Sequence, residues 1–163
     1  MKDIRPTTRV KVHGPEYVTT SVEIAGYVRN PRSYSTSELS VMEQTRIEGF
    51  VILCGSGKVK DQARSLRGVL LRELLDVADI VLDDHEAPNR TFIVATGADG
   101  YVSLFSWHEI FNSTLGDGIL VALEKDGEPL DENEGELCLV SSGDERPGPR
   151  RVRYLSKIEV RRI

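Results

Sequence analysis

Cysteine is scarce in this sequence: Cys54 and Cys138 are its only two. Two thiols cannot build a disulfide framework or a complete structural zinc site, so both are expected reduced and separate. Long apolar runs are missing too, and no stretch is long enough to cross a bilayer. The N-terminal segment MKDIRPTTRVKVHGPEY lacks the apolar centre of a signal peptide, which sets the expectation of a cytoplasmic protein. An excess of positive charge is absent as well. The formal net charge of −5 gives no general attraction to nucleic acid or to an anionic membrane surface. Internal repeats, low-complexity tracts and motifs for haem or iron–sulfur clusters are not found. Gly55-Ser56-Gly57-Lys58 is not a phosphate loop, because the Gly-x-x-x-x-Gly-Lys-Ser/Thr spacing is missing.

What is present is an ordinary globular composition. Charged residues make up 29% and hydrophobic residues 39%, enough apolar material for one core in a single domain spanning residues 1–163. Tyr17 to Val28 reads as a strand stopped by Asn30-Pro31, and Ser35 with Glu38 has capping-box spacing for a short helix. Glu48 to Cys54 (EGFVILC) is an apolar, β-branched run, expected as a buried central strand. Gly68 to Ala78 places leucines at helical spacing and predicts an amphipathic helix. Thr91 to Thr96 and Tyr101 to Phe105 read as strands joined by Gly97-Ala98-Asp99-Gly100, and Ser106 as the cap of a short helix. Ile119 to Lys125 predicts a strand joined through Asp126-Gly127 to a partner at Leu137 to Val140. Gly143 to Pro149 is a loop, and Arg151 to Val160 closes the chain as a strand. Strands dominate and helices are short, so the fold class is α+β: mixed β-sheets with short flanking helices.

Basic residues gather at the C-terminal end: Arg146, Arg150, Arg151, Arg153, Lys157, Arg161 and Arg162. They read either as charge protecting a strand edge or as a local anion site.

Four ordered segments carry a resemblance. They are FVILCGSG (Phe50 to Gly57), LRGVLLRELL (Leu66 to Leu75) and ATGADGYVSLFSW (Ala95 to Trp107). The fourth is the stretch from ALEKDGEPLDENEGELCLV (Ala122 to Val140) to PRRVRYLSKIEV (Pro149 to Val160). Taken in order, they resemble the molybdopterin-binding domain of the sulfite oxidase family, in a stand-alone form without the family's second, immunoglobulin-like dimerisation domain. The resemblance implies a molybdenum–molybdopterin cofactor and an oxidoreductase that moves an oxygen atom to or from a small-molecule substrate. Electrons would pass to a separate electron-transfer partner. A non-catalytic module of the same fold, binding a pterin-like ligand or a protein partner, is the alternative.

The resemblance also assigns residues. Cys54 matches the cysteine that ligates molybdenum; read from the residues alone, it is either such a thiolate or a small buried hydrophobe. Gly55, Ser56, Gly57 and Lys58 follow it as a loop that brings backbone N–H groups and one ammonium to the cofactor. Tyr101 matches a substrate-side tyrosine whose phenol can donate to a developing oxyanion; otherwise it is a rim tyrosine of a strand. Arg150 and Arg153 match positions that hold the pterin phosphate, a task suited to guanidinium forks. His13 matches an N-terminal histidine that touches the cofactor. Asp99-Gly100 reads as turn chemistry. Cys138 is expected inside the strand packing or along the wall of the Cys54 cleft. The sequence departs from the family pattern at Leu66-Arg67, where an aromatic is usual, and at Glu136-Leu137-Cys138, where the pattern has Pro-Leu-Arg.

Overall fold

A computed structural model describes residues 15–163. His13 lies outside the described residues. In chain order the elements are β1 (Ser21–Gly26), β2 (Arg32–Ser35), α1 (Thr36–Ser40), β3 (Thr45–Leu53), β4 (Val59–Leu70) and α2 (Leu71–Ala78). Then come α3 (Ala87–Arg90), β5 (Thr91–Gly97), β6 (Val102–Ser106), α4 (Trp107–Phe111), β7 (Ile119–Lys125), β8 (Glu128–Pro129), β9 (Cys138–Ser141) and β10 (Leu155–Arg162). Two five-stranded sheets result, so the α+β class holds. The first has the order β2-β1-β10-β5-β6, antiparallel except where β1 runs parallel to β10. The second has the order β3-β4-β7-β8, with β9 also paired to β7.

Alternation along β7 explains how the sheets share a core. Ile119 and Val121, with Leu139 of β9, face a large cluster that also contains Val22, Ile24, Ile93, Phe105 and Ile158 of the first sheet. Leu120 and Ala122, with Cys138 and Val140, face a second cluster with Phe50, Ile52, Ala63, Leu66 and Leu130. β7 from Ile119 to Ala122 is therefore buried on both faces, as is its neighbour β9.

That position had been expected for Glu48 to Cys54, which instead lies at an edge. β3 pairs only with β4 among the described residues. Phe50 and Ile52 point inward, while Val51 is 40% exposed. An apolar, β-branched run has the same composition whether one face or two are covered, and the partners decide which. β4 itself is the larger departure. Its stretch Val59 to Arg67 is too polar to show alternation, and the leucines after it suggest a helix from Gly68. Gly68, Val69 and Leu70 finish the strand instead, and the helix begins at Leu71. Gly68 is required there, because a Cβ would collide with the Val121 carbonyl of β7.

The Asp126-Gly127 turn, with both residues at positive φ, connects β7 to the short β8. Cys138–Ser141 pairs with the other half of β7. The closing strand starts later than expected, at Leu155, and sits centrally between β1 and β5, so its arginines do not guard an edge. The capping boxes at Ser35/Glu38 and Ser106/Glu109 form as their spacing predicts. Among the described residues no helix is long and apolar enough to cross a membrane.

Candidate active site around Cys54

Cys54 stands where β3 turns into β4. The Cys54 N–H donates to the Lys58 carbonyl at 3.0 Å, and the Gly57 N–H to the Cys54 carbonyl at 2.8 Å. Gly57 takes φ +84°, as the last residue of a three-residue hairpin loop requires. The turn folds Ser56 back so that its Oγ lies 2.8 Å from Cys54 Sγ. This contact, then the Ser56 backbone N–H, lowers the thiol to about 7; its limited desolvation acts in the opposite direction. A half-buried thiol near neutral pKa is a nucleophile or a soft metal ligand, whereas an inert core cysteine is buried and protonated. Cys138 is the contrast: it is 1% exposed, and burial pushes it up to about 11.

A second turn of the same build carries Tyr101. The Gly97 N–H donates to the Tyr101 carbonyl and the Gly100 N–H to the Gly97 carbonyl, each at 2.9 Å, with Gly100 at φ +83°. Asp99 works as turn chemistry, its Oδ1 accepting from the Tyr101 N–H at 3.1 Å.

The loop between β9 and β10 joins these two turns. Gly148 packs on the Leu53–Cys54 backbone so closely that a Cβ would stand 2.5 Å from the Leu53 carbonyl oxygen and 3.2 Å from Cys54 Cα. The Tyr101 hydroxyl donates to the carbonyl of Pro149, and Arg146 Nη1 to the carbonyl of Gly55. Cys54, Gly55 to Lys58, Tyr101 and the Arg146–Arg153 segment thus come together around one loop. Arg153 reaches it through its own carbonyl, against which Gly97 is packed.

Arg150 is engaged on every side. Its Nε and Nη2 donate to Asp144 at 2.8 and 2.5 Å, and its Nη1 to Glu109 at 2.7 Å and to the Leu104 carbonyl at 3.2 Å. The guanidinium lies over the Phe105 ring at 4.4 Å. The Asp144 hydrogen bonds and, after the opposing effect of desolvation, those of Glu109 hold its pKa above the ordinary arginine value. Arg151 is buried and donates to Glu134 at 2.7 Å, with Asp61 at 3.7 Å and Lys125 bridging both carboxylates. Arg161, Arg162 and Lys157 face Glu159, Asp83 and Glu159. Most of the C-terminal basic cluster is therefore paired with carboxylates, which leaves little of it for one anion site.

Sequence reasoning assigns no role to Gly148 and offers Arg146 only as one member of the C-terminal basic cluster. The string Arg146-Pro147-Gly148-Pro149 held the signal, since a glycine between two prolines marks a fixed, close-packed turn.

The family described as oxidoreductase molybdopterin binding domain matches residues 9–162. No curated protein matches the chain. Among solved structures, the sulfane dehydrogenase SoxCD from Paracoccus pantotrophus superposes with a TM-score of 0.70 at 18% identity, over 92% of this chain and 40% of that one. That likeness establishes the fold, and this chain spans less than half the length of that neighbour's. Matched over nearly its whole length, the chain belongs to the oxidoreductase molybdopterin-binding domain family.

Proposed function

We propose that this domain is a molybdopterin-dependent oxidoreductase in which Cys54 supplies the protein's thiolate to molybdenum. The observation that carries the reading is the Cys54 thiol itself: half-buried, 2.8 Å from the Ser56 hydroxyl and lowered to about 7. The donor chemistry fits, because molybdenum takes soft sulfur and a thiolate is available near neutral pH. The surroundings fit as well. A Cβ at Gly55 would meet only Pro149 Cγ, and one at Gly57 only Arg146 Nη2, each at 4.0 Å, so neither glycine is closed off by tight packing and both leave their backbone open to approach.

The bound cofactor supplies the change of oxidation state that accompanies oxygen-atom transfer to or from a small-molecule substrate. The chain's own residues bind and orient. The Ser56 hydroxyl steadies the Cys54 sulfur, and the Gly55–Lys58 turn offers backbone N–H groups and the Lys58 ammonium. Tyr101 holds the Pro149 carbonyl and so fixes the loop over the turn, from where its phenol can exchange that acceptor for a substrate oxygen. Arg153 and Lys58 are assigned to the pterin phosphate. Arg150 matches a phosphate position by resemblance, but Asp144 and Glu109 occupy its donors, so it is read here as the anchor of the loop and not as a phosphate ligand. Electrons leave to a separate electron-transfer partner, as the family resemblance implies.

A second reading, a non-catalytic module binding a pterin-like ligand or a protein partner, draws on one observation: both Tyr101 and Arg150 already have protein partners. Expression in a host that makes the cofactor separates the two, followed by dye-linked reduction of small S-oxides and N-oxides. Turnover that tracks molybdenum content supports the enzyme. Protein that emerges metal-free and cannot be loaded leaves the module.

A further inference from the structure

Arg150 and Arg151 are neighbours in the chain, yet they anchor the β9–β10 loop to opposite sheets. Arg150 reaches Glu109 and the Leu104 carbonyl beside the first sheet. Arg151 turns toward the second, where its side chain is only 4% exposed. Its Nη2 donates to Glu134 Oε1 at 2.7 Å, and its Nη1 forms an ion pair with Asp61 Oδ2 at 3.7 Å. Lys125 Nζ meets the same two oxygens, at 3.5 Å from Glu134 and 2.7 Å from Asp61. Two cations and two carboxylates thus alternate in a closed ring, drawn from β4, β7, the segment before β9 and the β9–β10 loop.

Asp61 puts one corner of this ring at the root of the Cys54 hairpin. It stands opposite Ile52 in the β3–β4 ladder, and the register shifts between Ile52 and Leu53, the residue before Cys54. A ladder disrupted at that point does not by itself fix the direction of the turn beyond it. The opposite corner belongs to the loop that covers the turn. The Arg151 N–H donates to the Gly148 carbonyl at 3.2 Å, and Gly148 packs on the Leu53–Cys54 backbone. Charges this far from water are little screened, and removing one leaves its partners uncompensated.

We infer that Arg151 is a positioning residue for Cys54: through Asp61 it holds the hairpin that carries the thiol against the β9–β10 loop. This rests on Cys54 as the metal-binding centre of the proposed function and adds the device that sets its place.

The test uses the full chain without cofactor and reads alkylation of Cys54 by iodoacetamide, counted by peptide mass spectrometry. At about pH 9, above the Cys54 midpoint, the thiolate fraction is nearly constant and the rate reports access to the turn. Arg151→Met should raise that rate about 3- to 10-fold in protein that circular dichroism shows to be folded, because the hairpin opens locally. Arg151→Lys keeps the charge but not the fork and should fall between the two. Asp61→Asn is a milder change at a more exposed site and should also raise the rate. The double variant should be no faster than the faster single one, since both cut the same tie. Arg162→Gln breaks a pair with Asp83 at the far end of β10, lowers stability without touching the ring, and should leave labelling unchanged. That control separates positioning from a general loss of stability. Where Arg151→Met does not fold, Asp61→Asn against Arg162→Gln decides. Labelling equal to wild type in Asp61→Asn and in folded Arg151→Met overturns the inference, and so does an equal rise in Arg162→Gln. The measurement needs no metal, so its outcome stands apart from molybdenum loading. Unchanged labelling in protein that loads molybdenum removes only the role of Arg151, and raised labelling in protein that never takes the metal removes only the cofactor.

Discussion

Replacing Arg150 with alanine separates a structural anchor from a phosphate ligand. The side chain is 24% exposed, and its partners Asp144 and Glu109 are 13% and 32% exposed. Removing it leaves Asp144 largely buried with only the Ser141 hydroxyl at 2.9 Å, and it uncovers the Phe105 ring. Breaking a fully buried pair costs about 3–5 kcal/mol, and an exposed pair is worth about 0–1 kcal/mol. With one partner deep and the other a third exposed, the loss should be about 2–4 kcal/mol. For a domain of this size that corresponds to a melting temperature lower by roughly 5–15 °C.

The pH dependence follows from Glu109. Desolvation acts to raise its carboxyl, but the Ser106 backbone N–H and Arg150 outweigh it and leave the value lowered. A carboxyl lowered in the folded state adds stability above its unfolded pKa, and that stability is lost as pH falls through the folded value. Arg150→Ala should therefore flatten the acid limb of the stability curve as well as lowering its plateau. Thermal melts from about pH 3 to 7 read both effects, with ordinary carboxyls titrating near the middle of that range. Unchanged melting at every pH, together with weakened cofactor retention, would refute the anchor and make Arg150 a phosphate ligand.

Two further perturbations address the turn. Gly148→Val forces a side chain against the Leu53 carbonyl oxygen and Cys54 Cα, costs about 1–3 kcal/mol, and should speed alkylation of Cys54 by lifting the loop; equal melting and equal labelling would show that the loop does not clamp the turn. The rate of Cys54 alkylation should rise with pH through a midpoint near about 7, while Cys138, buried and pushed up to about 11, stays unlabelled until the protein unfolds. In Ser56→Ala the Cys54 midpoint should move up toward about 8.5, the ordinary thiol value; a midpoint that stays put would remove Ser56 as the cause.

Local signals survived into the structure where the chain itself satisfies them. Both capping boxes and the Asp126-Gly127 turn need only residues a few positions apart, and all three form. Signals that depend on distant partners did not transfer. Phe50 to Leu53 and Ile119 to Ala122 look alike as apolar runs, yet only the second packs into both clusters, with Ile119 and Val121 against residues of the first sheet and Leu120 and Ala122 against Phe50, Ile52 and Leu130. The polar start of β4, Val59 to Ser65, is a strand because β3 pairs along it, not because of its own pattern, and β7 joins only from Leu66. The site divides in the same way. Cys54 and its glycine turn were legible from contiguous residues. The tether from Tyr101 to Pro149 and the lock of Arg150 on Asp144 and Glu109 join segments that come together only through the fold.

Metal analysis with X-ray absorption at the molybdenum edge decides whether Cys54 is the protein's sulfur ligand to molybdenum. Wild type and Cys54→Ser would be expressed in a host that makes the cofactor. Serine is nearly isosteric, so both should fold, but its oxygen is a harder donor that stays protonated near neutral pH. Wild type should carry stoichiometric molybdenum, with a protein thiolate sulfur in the metal's shell. Cys54→Ser should lose that sulfur, with turnover abolished. Equal molybdenum content and an unchanged sulfur shell in the two proteins would contradict Cys54 as the ligand.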